Sequence, residues 1–542
     1  MAFIAAMNSS SQKIGVKGSD VYTESGVGDL RVTLFTQLVR NCLSSDIESF
    51  VDRIVALGNM EQLKDLAVII FQTRDVRGGK GEKKLFQHLM TSLAHLMPGL
   101  ANALIPLVPE YGCWKDLWQL WITCQPLQNA IDHLVKEQFT MDQESEKPSL
   151  LAKWLPREGS KQDNNVLAKH FANLLFPLAQ PKNRLRTYRK VCAFLNKKID
   201  TNEIKMCGKV WATINPDHVP GRLMKRCKLA FLNMKEYKTR YPNDEDRISC
   251  ANHFKEYIND VKSGGKKIKG ATTTMPHEHV SELLKEYDMP QEKVDIIQAQ
   301  WDAIRFEVEK QGGLGKIIPM CDFSGSMNGV PKEVSLALGI LISEVASPAF
   351  RDHILTFDST PIWHSFSGKS SLLEKVRSIN TIGQGLSTDF QKACDLILER
   401  LVTHHVAPED APTDLLVLTD MGFDMACRQS NFSYYTGNTY SYNTKNTSWQ
   451  THFQMIRENF IRHGYQPPRI VCWNLHAAFK DYHATAHEEG VVKLSGWSPA
   501  VLKALQKNGV TVKTPYEGMR VLLDDARYDA VRVVVEEVLN QV

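Results

Sequence analysis

The chain has 542 residues and a net charge of +4 at neutral pH, a length that accommodates roughly two to four domains. Its 43 % hydrophobic and 23 % charged residues exclude a disordered chain. The chain contains no run of about 18 apolar residues, so we expect no membrane span. The eleven cysteines include no Cys-x-x-Cys pair. We therefore expect a reducing compartment such as the cytoplasm, and neither a disulfide framework nor a zinc knuckle.

The first half of the chain has the pattern of packed helices. Residues 1–27 are polar and rich in glycine and serine, which predicts an N-terminal arm. Over residues 28–310 apolar residues recur at helical spacing, as in Ile47, Val51 and Ile54. Short connections in the first part of this region are typical of helix pairs stacked as a solenoid or ring, with repeats too degenerate to show a fixed period.

A different pattern begins after a glycine-rich boundary near residue 311. Short apolar strands alternate with helices up to residue 542, which predicts a doubly wound α/β domain with a mostly parallel sheet covered on both faces. The predicted strands are Ile317–Asp322, His353–Asp358, Thr413–Asp420, Arg469–Asn474 and Val491–Ser495. The predicted helices include Lys332–Ala346, Phe390–Val402, Ser498–Lys507 and Ala526–Asn540.

Two of these strands end on an acid, and a hydroxyl-rich turn follows the first. In that turn Asp322, Ser324 and Ser326 alternate, so a loop can direct all three side-chain oxygens toward one point. One carboxylate and two hydroxyls suit a hard cation, Mg²⁺ or else Mn²⁺ or Ca²⁺. The same three residues would also suit a helix N-cap. Asp420 ends the second strand, and a glycine-rich loop precedes the helix that begins at Phe390.

Together these segments resemble the metal-ion-dependent adhesion site of von Willebrand A-type domains. The resemblance implies a cation held, in part through water, by Asp322, Ser324, Ser326, Thr388 and Asp420. It also implies that an acidic side chain of a protein partner completes the coordination of the cation. No motif typical of a nucleophilic enzyme or a metalloprotease accompanies this site, and we expect no catalytic activity.

Basic residues cluster in the helical half, which carries +7 of the net charge against −3 for the rest of the chain. Such clusters predict contacts with phosphate groups, although each of them could equally be solvated helix surface. The candidate phosphate-binding residues, with Tyr188 among them, are Lys182, Arg184, Arg186, Tyr188, Arg189, Lys190, Lys197, Lys198, Arg222, Lys225, Arg226, Lys266, Lys267 and Lys269, and the family resemblance given below implies that they bind RNA. The glycine-rich segment Arg74–Glu82 suits either a phosphate or a helix–helix turn with a glycine cap.

Helical repeats followed by an A-type domain resemble the Ro ribonucleoprotein family, whose helical module is called TROVE. The likeness is carried by Tyr188–Lys190, Leu195–Lys198, Cys207–Trp211, Ile214–Asn215 and His218–Pro220. Other segments are closer to an uncharacterised branch of the family in plants and large viruses: Arg74–Glu82, Gly112–Asp116 and Lys153–Pro156. The Tyr-Gly-Cys-Trp turn before Lys115 and the long insert after Asp420 depart from the family pattern.

The Ro resemblance implies a closed ring of HEAT-like helical repeats followed by the A-type domain. Its boundaries would be an arm over 1–27, an RNA-binding module over 28–310 and the A-type domain over 311–542. Proteins of this kind bind single-stranded RNA ends and small structured RNAs, for which a cationic groove and stacking aromatics are needed. Tyr188 and Trp211 are candidates for stacking, and both could equally belong to the core.

Residues 428–449 form an insert that follows the strand ending at Asp420, so they should lie at the rim of the metal site. Tyr, Asn, Ser, Thr and Gly dominate the insert, a composition typical of adaptable binding loops, and a disordered insert is the alternative. The candidate partner-binding residues are Tyr434, Tyr435, Tyr440, Tyr442 and Trp449.

The sequence therefore predicts a non-catalytic, monomeric RNA-binding protein of Ro type, with a Mg²⁺-dependent A-type domain that recruits a protein partner. The alternative is a protein-only scaffold, for instance a viral or phage structural component, that uses the A-type domain for protein contacts. Convergence of the basic clusters on one surface would favour RNA, whereas acids scattered among them would favour the scaffold.

Overall fold

A computed structural model of the chain describes residues 11–235, 237–286, 288–310, 313–356, 361–379, 390–423, 452–507 and 510–541. These residues divide into two compact units. The α/β unit contains the chain up to Cys42, Pro276–Lys285 and Val308–Leu522, and the helical unit contains Leu43–Met275, Glu286–Glu307 and the segment from Leu523 onward. None of the described helices is long and apolar enough to cross a bilayer.

The α-helices of the described residues, in chain order, are α1 (Glu24–Val27), α2 (Leu30–Gln37), α3 (Ser44–Ala56), α4 (Met60–Arg74), α5 (Lys83–Leu96), α6 (Pro98–Leu104), α7 (Val108–Tyr111), α8 (Trp114–Thr123), α9 (Gln128–Glu144), α10 (Leu151–Trp154), α11 (Leu167–Leu175), α12 (Pro181–Ile199), α13 (Asn202–Cys207), α14 (Gly221–Phe231), α15 (Glu245–Lys262), α16 (Pro276–Lys285), α17 (Gln291–Lys310), α18 (Val330–Val345), α19 (Leu372–Ile379), α20 (Phe390–Thr403), α21 (His452–Arg462), α22 (Pro515–Leu523) and α23 (Asp529–Asn540).

The strands of the same residues are β1 (Gln12–Ile14), β2 (Asp20–Tyr22), β3 (Met234–Lys235), β4 (Lys238–Thr239), β5 (Ile317–Cys321), β6 (His353–Thr356), β7 (Ile362–Ser365), β8 (Asp414–Thr419), β9 (Arg469–Asn474), β10 (Val491–Ser495), β11 (Gln506–Lys507) and β12 (Val510–Thr511).

The helical unit follows the apolar periodicity of its sequence. In α3 the positions at helical spacing, among them Ile47, Val51 and Ile54, are buried while the rest of the helix is polar. Helices that are neighbours in sequence pack on one another, as α4 does on α5 and α11 on α12. The prediction of a helical first half followed by an α/β part is confirmed at this level.

The Arg74–Glu82 segment is the turn between α4 and α5. Lys80 in this turn is 0 % exposed, so it offers no cation to a phosphate on the surface. A Cβ atom on Gly79 would lie 1.9 Å from the Gln72 carbonyl oxygen, which requires glycine at this close approach. The helix–helix turn is therefore the better interpretation of this segment.

Both ends of the chain belong to units other than those that the sequence predicted. Residues 11–42, which include most of the predicted arm, belong to the α/β unit, where Val21 is buried and Tyr22 forms a bridge with Tyr482. The C-terminal helix α23 was expected in the α/β domain but belongs to the helical unit, where it packs on α4 and α6.

The α/β unit contains a six-stranded sheet with the order β10-β9-β8-β5-β6-β7. All neighbouring pairs are parallel except β6 and β7. The five predicted strands are confirmed, and the sixth, β7, was missed. The predicted helix Ser498–Lys507 is instead a 3-10 helix, Pro499–Leu505, followed by β11.

Helices cover both faces of the sheet, as the alternation of side chains along β5 shows. Ile318 and Met320 belong to a core cluster that also contains Phe390 of α20 and Phe453 of α21. Cys321 points the other way, where α18 approaches so closely that a Cβ on Gly339 would lie 2.4 Å from its sulfur. The continuously apolar strands of this sheet are typical of a sheet buried on both sides.

The strand order reverses between β5 and β8, because the chain builds β6 and β7 on one side and β9 and β10 on the other. In doubly wound sheets ligands bind at such a switch point, outside the carboxyl ends of the strands. Asp322 directly follows β5, and Asp420 directly follows β8. The fold therefore places both predicted carboxylates at the point of the sheet where a ligand is expected.

Lys493 in β10 is a buried cation whose removal should stabilise the fold. Its ammonium donates to the Ala484 carbonyl oxygen at 2.8 Å, and burial lowers the pKa of Lys493 to about 8. The unfolded chain thus binds a proton more tightly than the native state, so the wild type gains stability as the pH rises from 8 toward the ordinary lysine value.

We expect Lys493→Met to raise the free energy of unfolding at pH 7 by about 1–3 kcal/mol. The stability difference between this variant and the wild type should shrink as the pH approaches the pKa of free lysine. Urea unfolding across this pH range measures the difference. An advantage of constant size at every pH would contradict a depressed lysine pKa.

Candidate metal centre and basic surface

Asp322 is fixed at the carboxyl end of β5 by three hydrogen bonds. Its amide donates to the Leu418 carbonyl oxygen of β8 at 3.0 Å, which continues the ladder by one residue. The Ser324 amide donates to Oδ1 at 2.9 Å, and the Thr419 hydroxyl donates to Oδ2 at 2.9 Å. Both carboxylate oxygens are therefore held in place inside the protein, with no freedom to turn toward solvent.

The two predicted serine ligands lie side by side in the turn after Asp322. A short 3-10 turn, Gly325–Met327, brings the Ser324 and Ser326 hydroxyl oxygens within 3.1 Å of each other. Ser324 is buried and Ser326 is half-buried, so Ser326 is the more accessible of the two hydroxyls. Two hydroxyls at this separation match the spacing of adjacent ligands around one small cation.

Asp420 lies opposite, at the end of β8, and is 0 % exposed. Its Oδ1 accepts a hydrogen bond from the Gly422 amide at 3.1 Å. Its Oδ2 is buried and has no hydrogen-bond partner among the described residues. A buried carboxylate oxygen without a donor is rare in native proteins and indicates a missing ion or water.

The two buried carboxylates repel each other, which makes it costly to keep both of them ionised. Burial raises the pKa of the Asp322 carboxyl to about 6, and the Asp420 carboxylate adds to this increase. A divalent cation between them would offset this repulsion. The donor set of carboxylate and hydroxyl oxygens fits Mg²⁺, Mn²⁺ or Ca²⁺ rather than a softer metal.

The structure places four of the five predicted metal ligands directly after two neighbouring parallel strands, with Asp322, Ser324 and Ser326 after β5 and Asp420 after β8. The fifth, Thr388, lies outside the described residues, as do the partner-binding candidates of the insert: Tyr434, Tyr435, Tyr440, Tyr442 and Trp449. The described residues contain no group of three or more His, Cys, Asp or Glu arranged to hold a metal.

Two residues beside this site were not identified from the sequence. Thr419 orients Asp322, and its position next to Asp420 was a signal that could have been used. His483 lies with Nε2 at 3.1 Å from the Met421 carbonyl oxygen, and burial lowers its pKa to about 3. No local sequence pattern identifies His483, because it comes from the segment between β9 and β10.

The basic candidates on α12 separate into two faces. Tyr188, Cys192 and Leu195 are buried along one face. The opposite face carries exposed side chains three or four residues apart, a spacing that places them along one ridge of a helix. We call these residues the α12 stripe: Lys182, Arg186, Lys190, Phe194 and Lys197. Phe194 is 55 % exposed and was missed, although its spacing from Lys190 would have revealed it.

Tyr188 is not available for stacking on a base. It is 1 % exposed, and its hydroxyl donates to the Pro156 carbonyl oxygen at 2.7 Å, so it belongs to the core. The stacking prediction fails for this residue because helical periodicity places it opposite the α12 stripe. Trp211 is half-buried, with the Arg247 guanidinium 3.7 Å from the centre of its ring.

Several other predicted RNA-binding residues already have partners within the helical unit. Arg189 pairs with Glu158, and Lys266 lies 3.6 Å from Asp217 and 3.2 Å from Asp260. Main-chain carbonyl oxygens accept hydrogen bonds from Arg184, Lys198 and Arg222. Lys267 lies 3.5 Å from the ring centre of Phe306. Lys225 is half-buried, whereas Arg226 and Lys269 are exposed.

Comparison with known sequences finds two domain families of unknown function. One, DUF7788, matches residues 316–533, and the other, DUF2828, matches residues 125–314. An uncharacterised protein of Acanthamoeba polyphaga mimivirus is 28 % identical over 513 residues, which cover 90 % of this chain and 83 % of the viral protein. The two family matches meet just before β5, close to the predicted boundary at residue 311, and the viral protein is similar to the chain across both halves.

Proposed function

We propose that the α/β unit is a von Willebrand A-type domain that binds Mg²⁺ at the ends of β5 and β8. The strand order, with an antiparallel edge strand β7, supports this fold. The observation that carries the proposal is the buried Oδ2 of Asp420, which lacks a hydrogen-bond partner among the described residues, together with the effect of the Asp420 charge on the buried Asp322 carboxylate. Asp322, Ser324, Ser326 and Asp420 would hold the cation directly or through water.

Titration of the full-length protein with Mg²⁺ or Mn²⁺ by calorimetry tests this proposal. We expect one site per chain, lost in a variant with Ser324→Ala and Ser326→Ala. The matched control replaces Ser365 and Ser367, whose hydroxyls lie 2.9 Å apart at the end of the edge strand β7. Unchanged binding in the Ser324 and Ser326 variant would overturn the assignment.

The bound cation would recruit a protein partner rather than catalyse a reaction. Protein ligands on one side of Mg²⁺ leave open positions, and a carboxylate of the partner is the hard oxygen donor that fills one of them. The insert over residues 428–449 follows Asp420 by a few residues, so its aromatic side chains are proposed to contact the same partner. A reducing intracellular compartment remains part of this proposal.

We further propose that the helical unit binds single-stranded RNA, as in the Ro family with its ring of HEAT-like repeats. The α12 stripe favours this function, because four cations and an exposed aromatic ring share one ridge and no described carboxylate pairs with those cations. Stacking aromatics in a cationic surface are what single strands require. The acids that neutralise Arg189 and Lys266 favour the protein-only scaffold. RNA binding by the α12 stripe therefore distinguishes an RNA-binding protein from a scaffold.

Neutralising the α12 stripe should weaken RNA binding and flatten its salt dependence. The variant carries glutamine at Lys182, Arg186, Lys190 and Lys197, and its affinity for a labelled oligouridylate is measured by fluorescence anisotropy at several salt concentrations. Each lost phosphate contact lowers the log–log slope by roughly 0.7. The control carries glutamine at Arg189 and Lys266, which are already paired with acids. Equal slopes in the stripe variant and the wild type would favour the scaffold.

A further inference from the structure

Trp154, at the end of α10, lies between lysines from two different helices. The Lys115 ammonium is 4.0 Å from the centre of its ring, and the Lys153 ammonium is 5.2 Å from the same point. Cation–π attraction of this kind fixes the lysines near the ring. The ring itself is half-buried, so part of it remains open to solvent.

The position of Trp154 is set by the surrounding helices. Its carbonyl oxygen accepts a hydrogen bond from the indole of Trp118 in α8 at 2.8 Å. Two residues earlier, the Ala152 carbonyl oxygen accepts a hydrogen bond from Asn196 of α12 at 3.0 Å. The site is therefore built on rigid elements, which is what a binding constellation needs.

Further cations surround the pair of lysines. The Lys83 ammonium lies 3.5 Å from the Lys115 carbonyl oxygen and 3.1 Å from Asp116, which also pairs with Arg74. Burial lowers the pKa of Lys115, and the charges of Lys83, Arg226 and Lys153 lower it further. The cations of this cluster thus act on one another across a small region of the helical unit.

The carboxylates at this cluster do not balance its cations. Asp116 is shared by Arg74 and Lys83, and Glu203 lies 2.9 Å from Lys153. Lys115 and the exposed Arg226 have no carboxylate partner among the described residues. Five cations against two carboxylates leave an excess of positive charge beside an aromatic face, which an anion would relieve.

Solvated helix surface is the simplest alternative, but it does not account for Lys115. Lys115 is half-buried at the Trp154 ring, which the Lys153 ammonium also approaches, and the Lys83 ammonium lies near the Lys115 carbonyl oxygen. Concentrating like charges costs free energy unless a ligand of opposite charge offsets it. An anion bound at this position would offset that cost.

We propose that the Trp154 cluster, Lys83, Lys115, Lys153, Trp154 and Arg226, binds a phosphate group of a single-stranded RNA, with Trp154 beside the adjoining base. This assignment rests on the proposed RNA-binding function and adds a second contact site, separate from the α12 stripe. None of its lysines was a candidate from the sequence, because Lys83, Lys115 and Lys153 are far apart along the chain and meet only in the fold.

The test uses the full-length protein and a labelled oligouridylate in fluorescence anisotropy over a range of salt concentrations. The variant carries Lys115→Gln and Lys153→Gln, which remove two charges and retain most of each side chain. We expect affinity to fall several-fold and the log–log slope to decrease by roughly 0.7 for each lost contact. A variant with arginine at both positions should retain binding.

A charge-matched control carries Lys136→Gln and Lys169→Gln, two exposed lysines elsewhere in the helical unit. If the cluster variant binds like this control while the α12 stripe variant is impaired, the Trp154 site is overturned and RNA binding stands. If the wild type does not bind the oligonucleotide, both proposals are overturned. Circular-dichroism melting of each variant identifies any that fail to fold.

Discussion

Asp420→Asn is expected to stabilise the metal-free protein and to abolish its stabilisation by Mg²⁺. The substitution removes one of two buried carboxylates, and it keeps the Oδ1 atom that accepts from the Gly422 amide. Since the Asp420 charge helps to raise the pKa of Asp322, its removal should raise the free energy of unfolding by something on the order of 1 kcal/mol.

In the presence of Mg²⁺ the order should reverse. A ligand that binds only the native state stabilises it by about 2.7 kcal/mol at one hundred times its Kd, and the wild type alone should show this gain. Thermal unfolding with and without Mg²⁺ measures both effects. Asp410→Asn, which neutralises an exposed carboxylate of the same unit, serves as the control. A metal-free Asp420→Asn protein less stable than the wild type would contradict carboxylate repulsion.

Asp75→Ala is expected to cost about 3–5 kcal/mol of stability, because it breaks a buried ion pair on one side only. Asp75 is 0 % exposed, and its Oδ1 lies 3.0 Å from Nη2 of Arg527. The Tyr528 hydroxyl donates to Oδ2 at 3.2 Å, and the Arg77 amide donates to Oδ1 at 3.0 Å. The substitution leaves all three donors without their acceptor.

A double-mutant cycle with Arg527→Ala separates the pair from the rest of this network. The control is Asp529→Ala, which removes an exposed partner of Arg532 in the same C-terminal segment and should change stability by no more than about 0.5 kcal/mol. Chemical unfolding of the full-length proteins measures these effects. A cost for Asp75→Ala as small as that of the control would show that the segment is not held by this contact.

The parts of the fold that the sequence predicted correctly are those with a strong local signal. Five of the six strands are apolar runs, and β5 and β8 are further marked by the acids that follow them. β7 has four residues, Ile362 to Ser365, at the antiparallel edge of the sheet. Its side chains are half-buried or exposed, so neither a continuous apolar run nor a clean alternation marks it.

The assignment of the two chain ends could not be made from local pattern. The buried face of α23, with Val531 and Val535, is that of an amphipathic helix, which needs a core but does not specify which one. Its place in the helical unit depends on Asp75, some 450 residues away in sequence. The short strands β1 and β2 likewise depend on a distant partner, Tyr482.

The metal-site residues were predictable from the sequence because they follow strand ends. The free basic residues were not predictable, because pairing with acids determines which cations remain available. Asp322 and Asp420 follow neighbouring parallel strands, so their proximity comes from the topology. The basic residues required knowledge of their acids, which are remote in sequence: Lys266 lies near Asp217, and Arg189 pairs with Glu158. The Trp154 cluster was missed for the same reason, since Lys115 and Lys153 meet only in three dimensions.

The most direct test of the central claim is the anomalous scattering of Mn²⁺ in crystals of the full-length protein. We expect one Mn²⁺ peak at the carboxyl ends of β5 and β8, within coordination distance of the Ser324 and Ser326 hydroxyls and beside Asp420. Crystals of Asp420→Asn, grown under the same conditions, should lack it. A peak elsewhere with none at this edge, or a peak that persists in Asp420→Asn, would contradict the assignment of this edge as the metal centre.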